Sequence, residues 1–452
     1  MTKRTFFPFT ALAVIFALLV PTPLAAQGLR LVRDAEIETT IRIYATPLFQ
    51  AAGISPQSVR IFLVNDDSLN AFVTTGNRMF INTGLLVKAE SPLAVIGVIA
   101  HETGHMAGGH VAIRGKSIEN AQSTIIASYL LGIGAALATG RGEAATAIIS
   151  GGQDIALKGF LGYSRSQESA ADQAGVRLLE ATKLSPEGLL EFMGVLRGQE
   201  VLLATSQDPY LRTHPLTQER ISFLENAVSQ SPFKGTPPSE ELTRLHNRVR
   251  AKLIGFLWPI SRVFQAYPED DNSLESRYAR SIAHYREAEL DAALPLINGL
   301  IEEYPNDPYF YELKGQMLYE NARGLEALPA FEKAAQLRPN SPQLHFALAQ
   351  AQIEANTAEL DQKALDNLDF TLQHEPSNSA AWRLSAIAYG RSGDTGMTAL
   401  ALAEAALARG RSRESLQHAR RAVKILPEGT PSSLRAQDLE GLAERLVEKQ
   451  KR

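Results

Sequence analysis

From Leu29 to about Thr46, Ile37, Ile41 and Tyr44 recur at helical spacing among charged neighbours, which predicts an amphipathic helix ended by Pro47. Val59 to Val64 packs β-branched and aromatic residues together and predicts a strand, closed by the turn-forming run Asn65-Asp66-Asp67-Ser68. Two more strands, Asn70 to Thr74 and Arg78 to Asn82, flank Gly76-Asn77, a hairpin signal. Ser91-Pro92 then opens a helix that runs through Leu93, Ile96 and Ile99, serine capping the free amides and proline fitting the first turn. Further on, Ser164-Arg165-Ser166-Gln167 fits a capping box and Ser185-Pro186-Glu187 opens another helix.

Residues Ser123 to Gly152 are apolar and rich in glycine and alanine, with a break at Gly140-Arg141-Gly142. Each half is too short to span a bilayer. The stretch reads as a helical hairpin buried against its own domain, or as a flap that touches a membrane or gates substrate.

Ser229 to Glu240 is rich in proline and serine and marks a boundary. Beyond about Asn272 the pattern turns to alanine, leucine and charge with an internal repeat. Pro305 to Pro339 and Pro308 to Pro342 are both separated by 34 residues, and Ala293-Leu294-Pro295 returns as Ala327-Leu328-Pro329. That period predicts tetratricopeptide helix pairs, which stack into a curved surface for peptides or partner proteins. Pro376 comes 37 residues after Pro339, so a short insertion is expected around Asn356 to Glu359, and Thr398 to Gly410 reads as an extra or atypical helix.

Composition adds three constraints. The chain of 452 residues exceeds one ordinary core, and its formal charge of −4 gives no footprint for nucleic acid. It has no cysteine, which excludes disulfides, thiolate ligands and thiol nucleophiles. Lys3 and Arg4 lead into an apolar run from Phe9 to Val20 and then Ala25-Ala26, the anatomy of a secretory signal cleaved after Ala26. The expected organisation is a signal peptide at 1–26, a first domain at 27–228, a linker with a connecting helix at 229–271, and repeats at 272–452.

The candidate chemistry lies on the helix opened by Pro92, in His101-Glu102-Thr103-Gly104-His105. Imidazoles four residues apart share a helix face and can hold one Zn²⁺ per chain, while Glu102 stands beside it to take a proton from an attacking water. A third ligand is required. His110 is near but is followed by Val111, and Val111 occupies the place where a metzincin carries its third histidine; His110 therefore reads as structural. Glu168 is the better candidate, since Asp172 one turn later can accept a hydrogen bond from a ligating imidazole. Gly162-Tyr163-Ser164-Arg165-Ser166 lacks the second glycine of a serine-hydrolase elbow.

These residues, with Asn70-Ala71-Phe72 on the edge strand and Thr213-His214-Pro215 followed by Arg220, resemble the M48 family of gluzincin metallopeptidases. The resemblance implies an α+β, mostly helical fold: a zincin-type domain with a small β-sheet, followed by an all-α solenoid of repeats. It implies Glu168 as zinc ligand and His214 at the metal, in the open position of a resting form or as an oxyanion stabiliser. Arg220 is expected to pair with a site carboxylate. Together with the export signal and the repeats it also implies a periplasmic endopeptidase acting on outer-membrane β-barrel proteins that stall in assembly, with the barrel assembly machinery as partner through the repeats. A second reading is a chaperone or adaptor working mainly through the repeats, with proteolysis gated by His214.

Overall fold

The computed structural model describes residues 30–110, 165–202 and 214–451. The signal segment, the apolar stretch 123–152 and the capping serine Ser164 lie outside the described residues. Strand β1 (Leu31–Val32) precedes helix α1 (Ala35–Ala51), whose first turn is capped by Asp34 accepting from the Ile37 amide at 2.9 Å. The helix therefore starts later than periodicity suggested and runs through Pro47 instead of stopping there. Proline removes the bond to the carbonyl of Ile43, but Ile43 is exposed and its carbonyl can be hydrated, while Leu48 and Phe49 beyond the proline are fully buried. Burial of those two side chains outweighs one lost hydrogen bond.

Strands β2 (Arg60–Val64), β3 (Ala71–Thr74) and β4 (Arg78–Asn82) complete a four-stranded sheet in the order β1-β2-β4-β3. β2 and β4 are parallel, and the other two pairings are antiparallel. Gly76 and Asn77 both have positive φ in the three-residue loop that joins Thr74 to Arg78 and reverses the chain. Among the described residues β3 is thereby left at one edge of the sheet, paired with β4.

A short helix α2 (Thr83–Lys88) leads into α3 (Pro92–Ala107), capped as its sequence predicts by Ser91 accepting from the Leu93 amide at 3.1 Å. Every residue of α3 from Pro92 to His105 is buried, so this helix is the centre of the domain. Helix α4 (165–181) and α5 (Glu187–Leu202) pack on it. A Cβ at Gly104 would lie 2.8 Å from the Ala171 carbonyl oxygen and 3.0 Å from the Ala174 methyl. The missing side chain at Gly104 allows α3 and α4 to touch, and that contact carries Glu168 and Asp172 onto the His101 side of α3.

Helix α6 (Gln218–Gln230) is followed by α7 (Glu240–Leu257), and α7 is built into the same core through Val249, Leu253 and Ile254. One face of α7 holds the turn that launches α3: His246 Nε2–H donates to the Ala89 carbonyl at 2.9 Å, and Arg250 Nε donates to that of Val87 at 2.9 Å. Burial lowers the His246 pKa from 6.5 to about 4. The unfolded chain therefore binds a proton that the folded chain refuses between those pH values. This stability contribution is complete above pH 6.5 and is lost as pH falls to about 4, amounting to about 3 kcal/mol. Urea unfolding at pH 7.0 and 4.5 should show this loss, and His246→Gln, which keeps an amide donor but cannot titrate, should abolish that part of it.

The other face of α7 meets the repeats. After α8 (Ile260–Ala266), ten helices follow: α9 (Leu274–Arg286), α10 (Leu290–Glu303), α11 (Pro308–Glu320), α12 (Gly324–Leu337), α13 (Pro342–Glu354), α14 (Ala358–His374), α15 (Ser379–Arg391), α16 (Thr395–Ala408), α17 (Ser412–Ile425) and α18 (Pro431–Lys451). Successive helices pack as five antiparallel-type pairs whose first helices start 34, 34, 37 and 33 residues apart. The insertion appears as the longer α14, 17 residues against 14 in α10 and α12. The stretch at 398–410 is not an extra helix: α16 is the ordinary second helix of the fourth pair, packed on α15. Its nearly uniform alanine and leucine blur the periodicity that would reveal this.

Between the two parts lies a buried ion cluster. Lys252 Nζ is 2.7 Å from Asp34 and 3.1 Å from Glu36; Arg248 pairs with Glu36 and with Asp307, the latter also through Nη2 at 2.8 Å; and the Tyr278 hydroxyl donates to Glu36 at 2.7 Å. Glu36, Arg248 and Lys252 are buried and each has a partner of opposite sign, as burial requires, while Asp34 and Asp307 are half-buried at the rim. The first turn of α1 thus ties α7 to α9 and the start of α11.

Candidate metal centre

His101 and His105, one turn apart on α3, direct their Nε2 atoms to a common point, 3.1 Å from each other. Glu168 on α4 brings Oε2 to 3.4 Å from His101 Nε2 and Oε1 to 3.4 Å from His105 Nε2. The loop before α6 adds His214, whose Nδ1 lies 3.0 Å from Glu168 Oε2 and 3.5 Å from His101 Nε2. All four residues are buried, and one ligand atom from each falls within 4.8 Å of every other. Zinc bond lengths of 2.0–2.2 Å in a tetrahedron place ligand atoms about 3.3–3.6 Å apart. The separations of 3.0–3.5 Å lie close to that figure, and the donor set of imidazole nitrogens with one carboxylate suits zinc.

The electrostatics agree. Burial lowers the His105 pKa to about 3, so this ring is a neutral ligand. Burial acts the same way on His101, but hydrogen bonds and charge from Asp172 and Glu168 outweigh it and raise its pKa to about 9. For Glu168 burial opposes ionisation, yet the His214 charge and hydrogen bonds from His101, His105 and His214 hold it far below the usual carboxylate range. Positive charge at the centre of these groups is therefore favourable, and a divalent cation there takes over the role of the imidazole proton.

Asp172 and Arg220 support this set. His101 Nδ1–H donates to Asp172 at 2.8 Å, which leaves Nε2 bare toward the centre. Arg220 donates to the two Asp172 oxygens at 2.6 and 2.8 Å, to the Pro215 carbonyl at 3.0 Å, and lies 3.2 Å from Glu168. Burial would raise the Asp172 pKa, but the bonds from Arg220 and His101 lower it. Arg220 thus links α6, α4 and the His214 loop.

Glu102 is fully buried beside the cluster, with Oε1 3.5 Å from His214 Nε2. Phe72 and Val73 of edge strand β3 wall the same small cleft, of about 40 Å³. Ala71 points into the core and Asn70, also buried, accepts through its carbonyl from the Asn82 amide at 2.9 Å, so these two shape the strand instead of lining the cleft. Two lining residues escape sequence reasoning. Gln167 is buried, and its Nε2 has no hydrogen-bond partner among the described residues, a signal visible only as its place next to Glu168. His110 meets His105, Nδ1 to Nδ1, at 3.0 Å, which its spacing alone does not reveal.

Residues 32–228 match Peptidase family M48. Over that segment the chain is similar to the M48 peptidases. A beta-barrel assembly-enhancing protease from Yersinia pestis is 23% identical over 334 residues, 70% of this chain and 65% of that protein. One from Escherichia coli (strain K12) is 22% identical over 367 residues, 79% of this chain and 72% of that protein. A putative one from Vibrio cholerae is 28% identical over 261 residues, 55% of this chain and 52% of that protein. The match thus spans just under two thirds of the Yersinia protein and about half of the Vibrio protein. The family match stops at residue 228, near the end of α6 and before the helix α7, which is packed into the same core.

Proposed function

We propose that this chain is a periplasmic zinc endopeptidase that removes misassembled outer-membrane β-barrel proteins, exported by a signal peptide cleaved after Ala26. The observation that carries the enzymatic part is the convergence of His101, His105, Glu168 and His214 on one point with Glu102 alongside. The substrate class rests on the names of the relatives. No helix among the described residues is long and apolar enough to cross a membrane.

His101, His105 and Glu168 would hold the ion. Bound zinc supplies a water acidic near neutral pH and a Lewis acid for the scissile carbonyl. Glu102 takes the proton of the attacking water and returns it to the leaving amine. The free edge of β3, with Phe72 at the cleft, binds the substrate as an added strand, and Gln167 offers a donor to a substrate carbonyl. The repeats recruit substrate or the barrel assembly machinery.

The His214 ring stands at the fourth corner, and the cleft beside it has room for water but not for a peptide. This favours a closed resting state opened by withdrawal of the ring, and it supports the second reading, in which the repeats act alone much of the time. Atomic spectroscopy of the mature chain should give one zinc per chain. Cleavage of an unfolded β-barrel protein should stop with a chelator, return with zinc, and rise in His214→Ala. Chelator-insensitive cleavage, or absence of zinc, would overturn the enzymatic reading.

A further inference from the structure

The metal-bearing helix ends in Gly108-Gly109-His110, and each glycine has a specific task. The Gly108 amide donates to the Gly104 carbonyl at 2.9 Å and closes the helix. Gly109 has a φ of +64°, the left-handed conformation that reverses the chain. The reversal folds His110 back over the last turn, where a Cβ on Gly108 would lie 2.4 Å from the His110 Nε2 and 2.9 Å from Cδ2 and Cε1. The ring occupies the volume that any side chain at Gly108 would take. In that position it meets His105 edge to face, with centroids 5.1 Å apart at 78°, and the two Nδ1 atoms are 3.0 Å apart.

We propose that Gly108, Gly109 and His110 form a hook that positions His105, resting on the zinc reading above. For His105 to offer Nε2 to the ion, its proton sits on Nδ1, and His110 Nδ1 accepts it. His110 does for His105 what Asp172 does for His101, with one difference in charge. Glu102, Glu168 and Asp172 already place three carboxylates around the site, and a neutral acceptor orients the second imidazole without adding a fourth. His110 is a positioning residue: it acts on the ion through His105.

The test uses the full mature chain with His110→Ala, His110→Asn and Gly108→Ala, each checked by circular dichroism for a wild-type helical signal. Zinc affinity is read by competition with a chromogenic chelator, and ligand geometry by the visible bands of the cobalt-substituted protein. His110→Ala and Gly108→Ala should weaken zinc binding by roughly 10–100-fold and shift the cobalt bands. His110→Asn, whose Oδ1 stands near the place of Nδ1, should recover most of the affinity. Wild-type affinity and cobalt bands in His110→Ala would overturn the proposal, as would an asparagine variant no better than alanine. Should the wild-type chain take up no zinc, the metal reading fails separately, and ¹⁵N shifts of the His105 ring still decide the hook: a proton fixed on Nδ1 in wild type and released in His110→Ala supports it, and identical shifts overturn it.

Discussion

Replacing Glu102 with glutamine should lower kcat by at least about 10²–10⁴-fold while leaving zinc bound. Glu102 is fully buried beside the cluster, but the four converging ligand atoms come from His101, His105, Glu168 and His214. Glutamine keeps the volume and both terminal heavy atoms, so the packing of α3 against α4 is retained. What is lost is the ability to receive a proton from water. The expected result is one zinc per chain and a wild-type melting curve with cleavage at background. Turnover within a factor of a few of wild type would remove Glu102 from the mechanism. The same variant separates the two functional readings: if it supports outer-membrane assembly as well as wild type does, the repeats carry the cellular role.

Arg220→Met should destabilise the protein by about 3–5 kcal/mol, because it leaves Asp172 buried without its bidentate partner. For a domain of this size that corresponds to a fall in melting temperature of roughly 6–20 °C. The loss should be greater after chelation. Glu168 lies 3.2 Å from Arg220, and losing both Arg220 and the ion removes two sources of positive charge beside its buried carboxylate. A second effect follows from the bond to the Pro215 carbonyl, which tethers the His214 loop to α6. Calorimetry with and without chelator measures both states, and a shift below about 2 °C in each would show that Arg220 is a solvated charge without a structural task.

The ligands on one helix were legible because the periodicity of a helix is local: four residues put His101 and His105 on one face whatever the rest of the chain does. The same locality exposed the hairpin at Gly76-Asn77 and the Ser91-Pro92 start. A period of 34 residues revealed the repeats, although the alanine-rich α16 obscured where their pairs end. Glu168 and Asp172 stood out by their one-turn spacing once a metal-binding helix was in view, whereas His214 and Arg220 were assigned through likeness to a family, since nothing in their own neighbourhoods distinguishes them from charges on a solvated surface. The helix through Pro47 was misread because the propensity penalty is local and the burial of Leu48 and Phe49 is not.

By itself the sequence determined a pair of imidazoles spaced to hold a metal on an apolar helix, a small sheet with an edge, and a helical repeat array, all properties of residues close in the chain. Only the tertiary structure decided the rest. Gly104 against Ala171 brings the α4 carboxylates to the imidazoles; Glu36, in a helix start that reads as a polar surface end, is buried against Arg248 and Lys252, with Asp34 half-buried beside it. His110, apparently a spare histidine, turns back onto His105. The physical reason is common to all three. Burial and pairing of charge depend on which distant backbones can approach, and that is fixed by packing, not by spacing along the chain.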